Sequence, residues 1–304
     1  MTHTNEMNKI YKEIATLRGH TGWVLCLTHY KNTLYSAGED KTIRIWAAGT
    51  HTETYEHIAT LEGHTGGVRC LTLHENKLYS GSWDNTIRIW NTETHKEIST
   101  LRGHTGCVRC LVLHENKLYS GSWDTTIRVW AAGTHTETYA QIATLVGHTG
   151  GVRCLTLHKN KLFSGSNDKT IRVWSTETYE EIATLRGHTG SVYCLTLHEN
   201  KLVSGGDDKT IRIWAAGTNT ETYETIAILR GHTDSIKCLT LHESKLFSAS
   251  DDKTIRIWAA GTNTETFEEI ATMRGHTGWM ESLTLHENKL YSGSWDSTIR
   301  VWNI

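Results

Sequence analysis

The 304-residue chain contains no proline at all, where an average usage of about 5% would supply roughly 15. Proline-stiffened linkers are thereby excluded, and tight turns fall to Gly, Asn and Asp. Phenylalanine (3) and methionine (4) are scarce too. No apolar run approaches the ~18 residues of a membrane-spanning helix. The polar start, Met1 to Lys9, lacks the apolar core of a secretion signal. Asn-x-Ser/Thr sequons are missing, and neither sign of charge dominates, since 31 basic and 33 acidic residues leave a formal charge of −2. That balance argues against bulk electrostatic binding to nucleic acid or anionic lipid. These absences predict a soluble, intracellular, cytoplasmic protein without membrane or nucleic-acid partners. In abundance, by contrast, are 26 Gly, 19 His and 12 Trp.

The abundant residues recur together. Gly-His-Thr repeats with histidines at His20, His64, His104, His148, His188, His232 and His276, at intervals of 44 or 40 residues. An aspartate always follows 20 residues later, with a tryptophan six beyond it, as in His64, Asp84 and Trp90. Length varies only after the tryptophan, where repeats 1, 3, 5 and 6 insert Ala-Ala-Gly-Thr, as at Ala47 to Thr50. Each unit holds four short β-type runs; in repeat 2 they are 68–73, 77–80, 86–90 and 97–101. Glu75-Asn76 and Trp83-Asp84-Asn85 supply the turns, with Asn expected at positive φ. A four-stranded meander cannot bury both its faces alone, whereas seven packed radially can.

These residues resemble the WD40-repeat family over residues 11–304. Two departures are visible: Asn, Ser or Ala follows the tryptophan in place of aspartate, and His-Glu-Asn replaces a Pro-Asp-Gly-type turn. The resemblance implies an all-β fold, a seven-bladed propeller with four antiparallel strands per blade, preceded by a polar tail at 1–10. Repeat 7 ends at its third strand, and Lys12 to Leu17 matches the fourth-strand run Glu181 to Leu185. The N-terminal strand is therefore expected to complete blade 7 and remove an open edge.

Every repeat carries the His, Ser and Asp of a hydrolytic triad. Their sevenfold recurrence favours a structural role, and the resemblance implies a buried hydrogen-bond chain in each blade. The sets are His20/Ser36/Asp40/Trp46, His64/Ser80/Asp84/Trp90, His104/Ser120/Asp124/Trp130, His148/Ser164/Asp168/Trp174, His188/Ser204/Asp208/Trp214, His232/Ser248/Asp252/Trp258 and His276/Ser292/Asp296/Trp302. An enzyme built on one such set is the rival reading. Cys26, Cys70, Cys110, Cys154, Cys194 and Cys238 share one repeat position, with Ser282 in the seventh, and read as small buried residues of a reducing compartment. Cys107 and Cys110 form a CxxC, but i and i+3 on a strand face opposite ways. His74, His114, His158, His198, His242 and His286 are expected in solvated turns, and His51, His57, His95 and His135 in variable connections. No cofactor, metal or catalytic residue is assigned.

Where near-identical repeats differ, the fold leaves freedom. Three residues after the Gly-His histidine stand Trp23, Gly67, Cys107, Gly151, Ser191, Ser235 and Trp279. Five after it stand Leu25, Arg69, Arg109, Arg153, Tyr193, Lys237 and Glu281. Before the turn aspartate stand Glu39, Trp83, Trp123, Asn167, Asp207, Asp251 and Trp295. All five tryptophans outside the network fall in these columns, which the resemblance places around the central channel on one face. Tryptophan beside arginine is hot-spot chemistry. The face divides electrically, with Arg69, Arg109 and Arg153 on blades 2 to 4 and Asp207, Asp234 and Asp251 on blades 5 and 6. The reading is a non-catalytic protein- or peptide-binding scaffold using this face, and a partner with an acidic or phosphorylated stretch beside an apolar anchor would match the layout. Gly63 to Leu71 and its copies near 103 and 147 also look like the arginine-bearing repeats of F-box-type receptors for phosphorylated motifs, which implies as an alternative a phosphopeptide-reading substrate-recognition module of a larger assembly. Those receptors carry arginine before the turn aspartate, where Trp83 and Trp123 stand here. A third reading is a recently amplified or engineered repeat without an evolved partner.

Overall fold

The computed structural model describes residues 11–48, 55–131, 139–216, 223–260 and 267–304. The tail 1–10, His51, His135 and the Gly-Thr halves of the insertions lie outside them. The first strand, β1 (Glu13–Arg18), stands apart from the blade that follows it in sequence. Blade 1 is β2 (Val24–Tyr30), β3 (Thr33–Gly38), β4 (Ile43–Ala48) and β5 (Tyr55–Leu61). Blade 2 is β6 (Val68–His74), β7 (Lys77–Ser82), β8 (Ile87–Asn91) and β9 (Glu97–Leu101). Strands β10 to β25, residues 108–274, build blades 3 to 6 in the same way. Blade 7 takes β26 (Met280–His286), β27 (Lys289–Ser294) and β28 (Thr298–Asn303), and β1 pairs antiparallel with β28 through Leu17↔Ile299 and Glu13↔Trp302. Seven antiparallel four-stranded sheets result, and β2 packs on β26 as it does on β6, closing the ring.

The hydrophobic cores lie between blades. Tyr35, Ile43, Ile45 and Leu61 of blade 1 meet Val68, Leu71, Leu78 and Trp90 of blade 2. The next core takes Tyr79, Ile87 and Ile89 from the other face of blade 2, against Val108, Leu118 and Trp130. Successive side chains of one strand thus feed opposite cores, which is why the runs are nearly continuous in apolar residues.

Small residues permit this closeness. A Cβ on Gly81 would stand 2.6 Å from Cys70 Sγ and from Val108 Cγ1 of the next blade. The shared cysteine position therefore lies in the interblade seam, where Cys70 Sγ approaches the Val108 carbonyl at 3.7 Å. The glycine of Gly-His has a related duty, since a Cβ on Gly63 would meet the Trp90 ring at 3.2 Å and the Arg88 guanidinium at 2.6 Å.

Turn geometry departs from the sequence expectation. In the first hairpins Glu75, Lys159, Glu199 and their equivalents take positive φ (51–54° at these three), and the asparagine does so only at Asn116. The paired histidines end the strands and do not occupy the turns; only His74 among them is exposed. His286 stacks on His29 and His198 packs edge-on against Phe267.

Candidate functional site

The structure joins all seven predicted network sets. His Nδ1 lies 2.7–2.8 Å from Asp Oδ2 in every blade. His Nε2 lies 2.7–2.8 Å from the serine Oγ, which belongs in blade order to Ser36, Ser80, Ser120, Ser164, Ser204, Ser248 and Ser292. Each serine also accepts from an indole Nε1 at 2.8–2.9 Å. The donors in blades 1 to 3 are Trp46, Trp90 and Trp130. Those in blades 4 to 7 are Trp174, Trp214, Trp258 and Trp302. A carboxylate only accepts, so His Nδ1 carries the proton toward it and Nε2 accepts the serine hydroxyl. Burial pushes each aspartate up, but hydrogen bonds from His and Thr outweigh it and hold the carboxyls well below their usual range.

That polarity matches a hydrolytic triad, but the accessibility does not. Ser36, Ser80, Ser120, Ser164, Ser204, Ser248 and Ser292 are all 0% exposed. The indoles above them are nearly as enclosed: Trp214 is 1% exposed, Trp174 2% and Trp258 3%. With its oxygen occupied by tryptophan and no surface, the serine hydroxyl has no approach for a substrate. The same enclosure keeps these serines and tryptophans from touching a partner. They support the face from within and form no part of it.

The Asp also shapes the candidate face. In blade 2, Asp84 Oδ2 accepts from Thr65 N at 3.0 Å, tying the Gly-His loop to the β7–β8 turn. Its Oδ1 accepts from Thr86 N and Oγ1, stabilising a turn in which Asn85 sits at φ 67°. Two of the variable columns meet here by a backbone bond, Trp83 N to Gly67 O at 2.9 Å, repeated as Trp123 to Cys107 and Trp295 to Trp279.

The third column has a different origin. In each inner strand the register shifts by one residue, as between Val68↔Ser82 and Cys70↔Gly81. Arg69 is the extra residue of that bulge, and the same slip occurs at Leu25, Arg109, Arg153, Tyr193, Lys237 and Glu281. A bulge re-aims a side chain. All seven line the wall of a central lumen of about 280 Å³. The basic column therefore lines the central channel, with its arginines half-buried. The bulge also breaks the strand alternation used to set Cys107 against Cys110. Both thiols are pushed up by burial, to about 11 and about 12, far from a reactive thiolate.

The expected electrical division needs correction as well. Arg69 forms a buried ion pair with Glu281 and donates to Leu25 O at 3.0 Å. Burial opposes the charge on each, but the pairing overrides it, raising Arg69 and lowering Glu281. Lys237 pairs with Asp251 at 3.1 Å, and burial leaves that carboxyl pushed up to about 6. Asp207 accepts from Ser235 Oγ of the neighbouring blade at 2.8 Å. Arg153 Nε donates to Asn167 Oδ1 at 2.6 Å and lies over the rings of Trp123 and Tyr193. Arg109 is 5.4 Å from the Trp123 ring, and its buried Nε has no partner.

The five extra tryptophans divide into two groups. Trp23 and Trp295 stack at 3.6 Å, Trp279 leans on Trp295 at 4.3 Å, and Trp295 Nε1 donates to Glu281 at 3.0 Å. Trp23 and Trp295 thus have a structural duty that their column positions did not reveal. Trp83, Trp123 and Trp279 remain 36%, 49% and 41% exposed on one face. Glycines make room beside two of them: a Cβ on Gly67 would meet Trp83 at 3.0 Å, and one on Gly151 would meet Trp123 at 2.8 Å. A larger cavity of about 600 Å³ opens at the opposite end of blades 4 and 5, by His158, Lys161, Phe163 and Tyr223. Its Lys161–Tyr223 contact recurs as Lys117–Tyr179 and Lys289–Tyr55, which marks it as a seam of the repeat.

Comparison with known proteins agrees with this geometry. The family description "WD domain, G-beta repeat" matches seven segments: 11–47, 55–91, 95–131, 139–175, 179–215, 223–259 and 267–303. No curated protein is matched by the sequence. Among solved structures, the RRP9 WD40 repeats superpose with a TM-score of 0.83 at 22% identity, covering 96% of this chain and 97% of that one. U3-55K gives 0.83 at 22%, over 96% and 98%. The computationally designed Ika8 protein gives 0.73 at 26%, over 96% and 99%. The chain belongs to the WD40 family and folds as a seven-bladed β-propeller whose first strand closes its last blade.

Proposed function

We propose that the chain is a non-catalytic scaffold that binds a protein or peptide over the mouth of its channel. The observation that carries this reading is the exposure of Trp83, Trp123 and Trp279 on one face. Large aromatics exposed around a concave, partly charged mouth are typical anchors of protein interfaces. WD40 propellers typically bind proteins, which supports the same class of partner. The neighbouring Arg109 and Arg153 favour an acidic or phosphorylated stretch beside the apolar anchors. Seven free cysteines fit a reducing, cytoplasmic location.

Replacing Trp83, Trp123 and Trp279 together by alanine tests the reading. Proteins retained from lysate by the parent chain and lost with the triple variant, at unchanged melting temperature, are the expected result. Hot-spot truncations cost ≥ ~2 kcal/mol, so each single variant should weaken an isolated partner about 30-fold. Equal capture by parent and triple variant would sink this face as the docking surface.

A further inference from the structure

The seven bulge residues deliver an unequal set of charges to one half-buried tier of the channel. Arg69 is neutralised by Glu281 and Lys237 by Asp251. Arg109 and Arg153 are left: among the described residues no carboxylate lies within ion-pair distance of either, and Glu281, already held by Arg69, attracts both only at longer range. Arg153 satisfies one N–H on a neutral amide, Asn167. Arg109 has a buried Nε without an acceptor. Burial first, then the guanidiniums of Arg69 and Arg153, push Arg109 down from its usual range. Arginine does not give up its proton in a protein, so the charge stays and must be answered by something else.

The surroundings admit an anion. The lumen measures about 280 Å³ and holds both guanidiniums on adjacent blades. A share of ~30 Å³ per water makes that room for several waters, or for a small ion with part of its hydration. The side chain that lies over both arginines is aromatic: Trp123 is 5.4 Å from each. Its ring offers cation–π contact but no lone pair in the plane of a guanidinium, so it takes none of their N–H donors.

We infer that the channel holds a tetrahedral oxyanion, phosphate or sulfate in type, seated between Arg109 and Arg153. Planar guanidinium forks match such an oxyanion's edges, and two of them on adjacent blades can share one ion. The seat shares a face with the docking surface proposed above but does not depend on it. The ion stabilises the ring with no partner present, and the phosphate of a phosphorylated side chain offers the same chemistry.

The test titrates the intact chain with sodium phosphate or sodium sulfate against sodium chloride at matched ionic strength, following melting temperature and phosphorus NMR. A saturable rise in melting temperature with phosphate is expected, together with a smaller, non-saturating effect of chloride. Arg109→Gln and Arg153→Gln should each weaken phosphate at least about tenfold, the loss of one charged hydrogen bond. Lys96→Gln, an exposed site, should leave the response intact. A serine phosphopeptide and its unphosphorylated form identify the source. Phosphate binding tighter than phosphopeptide assigns a free ion, and an Arg109-dependent preference for the phosphopeptide assigns a side chain. Should Arg109→Gln fail to fold, the NMR titration of the parent chain decides alone. No saturable binding of phosphate or phosphopeptide, or binding that survives both arginine variants, overturns the inference. That result would leave the tryptophan experiment untouched.

Discussion

His29 stands where the other six repeats place leucine: Leu73, Leu113, Leu157, Leu197, Leu241 and Leu285. Its ring stacks on His286 at 3.7 Å, near Tyr291, and neither buried ring nitrogen has a hydrogen-bond partner. Burial first, then His286, lowers it to about 4. Unfolded chain therefore binds the extra proton between pH ~6.5 and about 4, so this residue's stabilisation is present above pH ~6.5 and fades as pH falls through that window. His29→Leu should flatten the decline, and denaturant midpoints of both chains at pH 7 and pH 5 would measure it. An equal decline in the variant would place the acid sensitivity elsewhere. The network predicts a second outcome at this scale. Asp124→Ala removes the acceptor of His104 Nδ1, Thr105 N and Thr126. An unsatisfied buried polar group costs ~1–3 kcal/mol, and Asp84→Ala should cost the same by urea unfolding. A variant at no cost would make that blade's network dispensable.

At the scale of elements, closure depends on one strand. β1 reproduces in blade 7 what β9 does in blade 2, down to the ion pair: Arg300 to Glu13 matches Arg88 to Glu97. Leu17 also joins Val24, Leu34 and Trp46 in the core between blades 7 and 1. Removing residues 1–18 would expose the edge of β28 and open that core. Aggregation, or a monomer of clearly lower melting temperature, is expected; a monomer with an unchanged melting curve would show that the ring closes without β1. Sequence comparison located this strand because its residues repeat. It did not locate the inner-strand bulges, since an extra residue leaves no mark when every repeat carries it. The left-handed turn positions were hidden for a related reason. Lys41, Lys169, Lys209 and Lys253 adopt φ of 64–69° with no turn-forming side chain of their own. The preceding aspartate holds the turn by accepting from the threonine that follows, at 2.9–3.2 Å.

Across the whole molecule, repetition determined most of what could be read beforehand. Blade number, strand count, the seven networks and the closing strand follow from spacing, because local periodicity and turn chemistry act within about 40 residues. The candidate face was legible as columns of variation, and Trp83, Trp123 and Trp279 are exposed there. The fate of each variable residue was not legible. Glu281 shares a column with Arg69, a signal for their pairing, yet 212 residues separate them in the chain. Trp23 and Trp295 are likewise brought to 3.6 Å only when the last blade meets the first. Closing a ring sets distances between residues that sequence separation does not encode. Which charges cancel, which go without an ion pair at Arg109 and Arg153, and which tryptophans remain open were decided by the tertiary structure. The bulge turns those side chains inward, where partners lie on the same blade, as Asp251 for Lys237 and Asn167 for Arg153, or across the lumen, as Glu281 for Arg69.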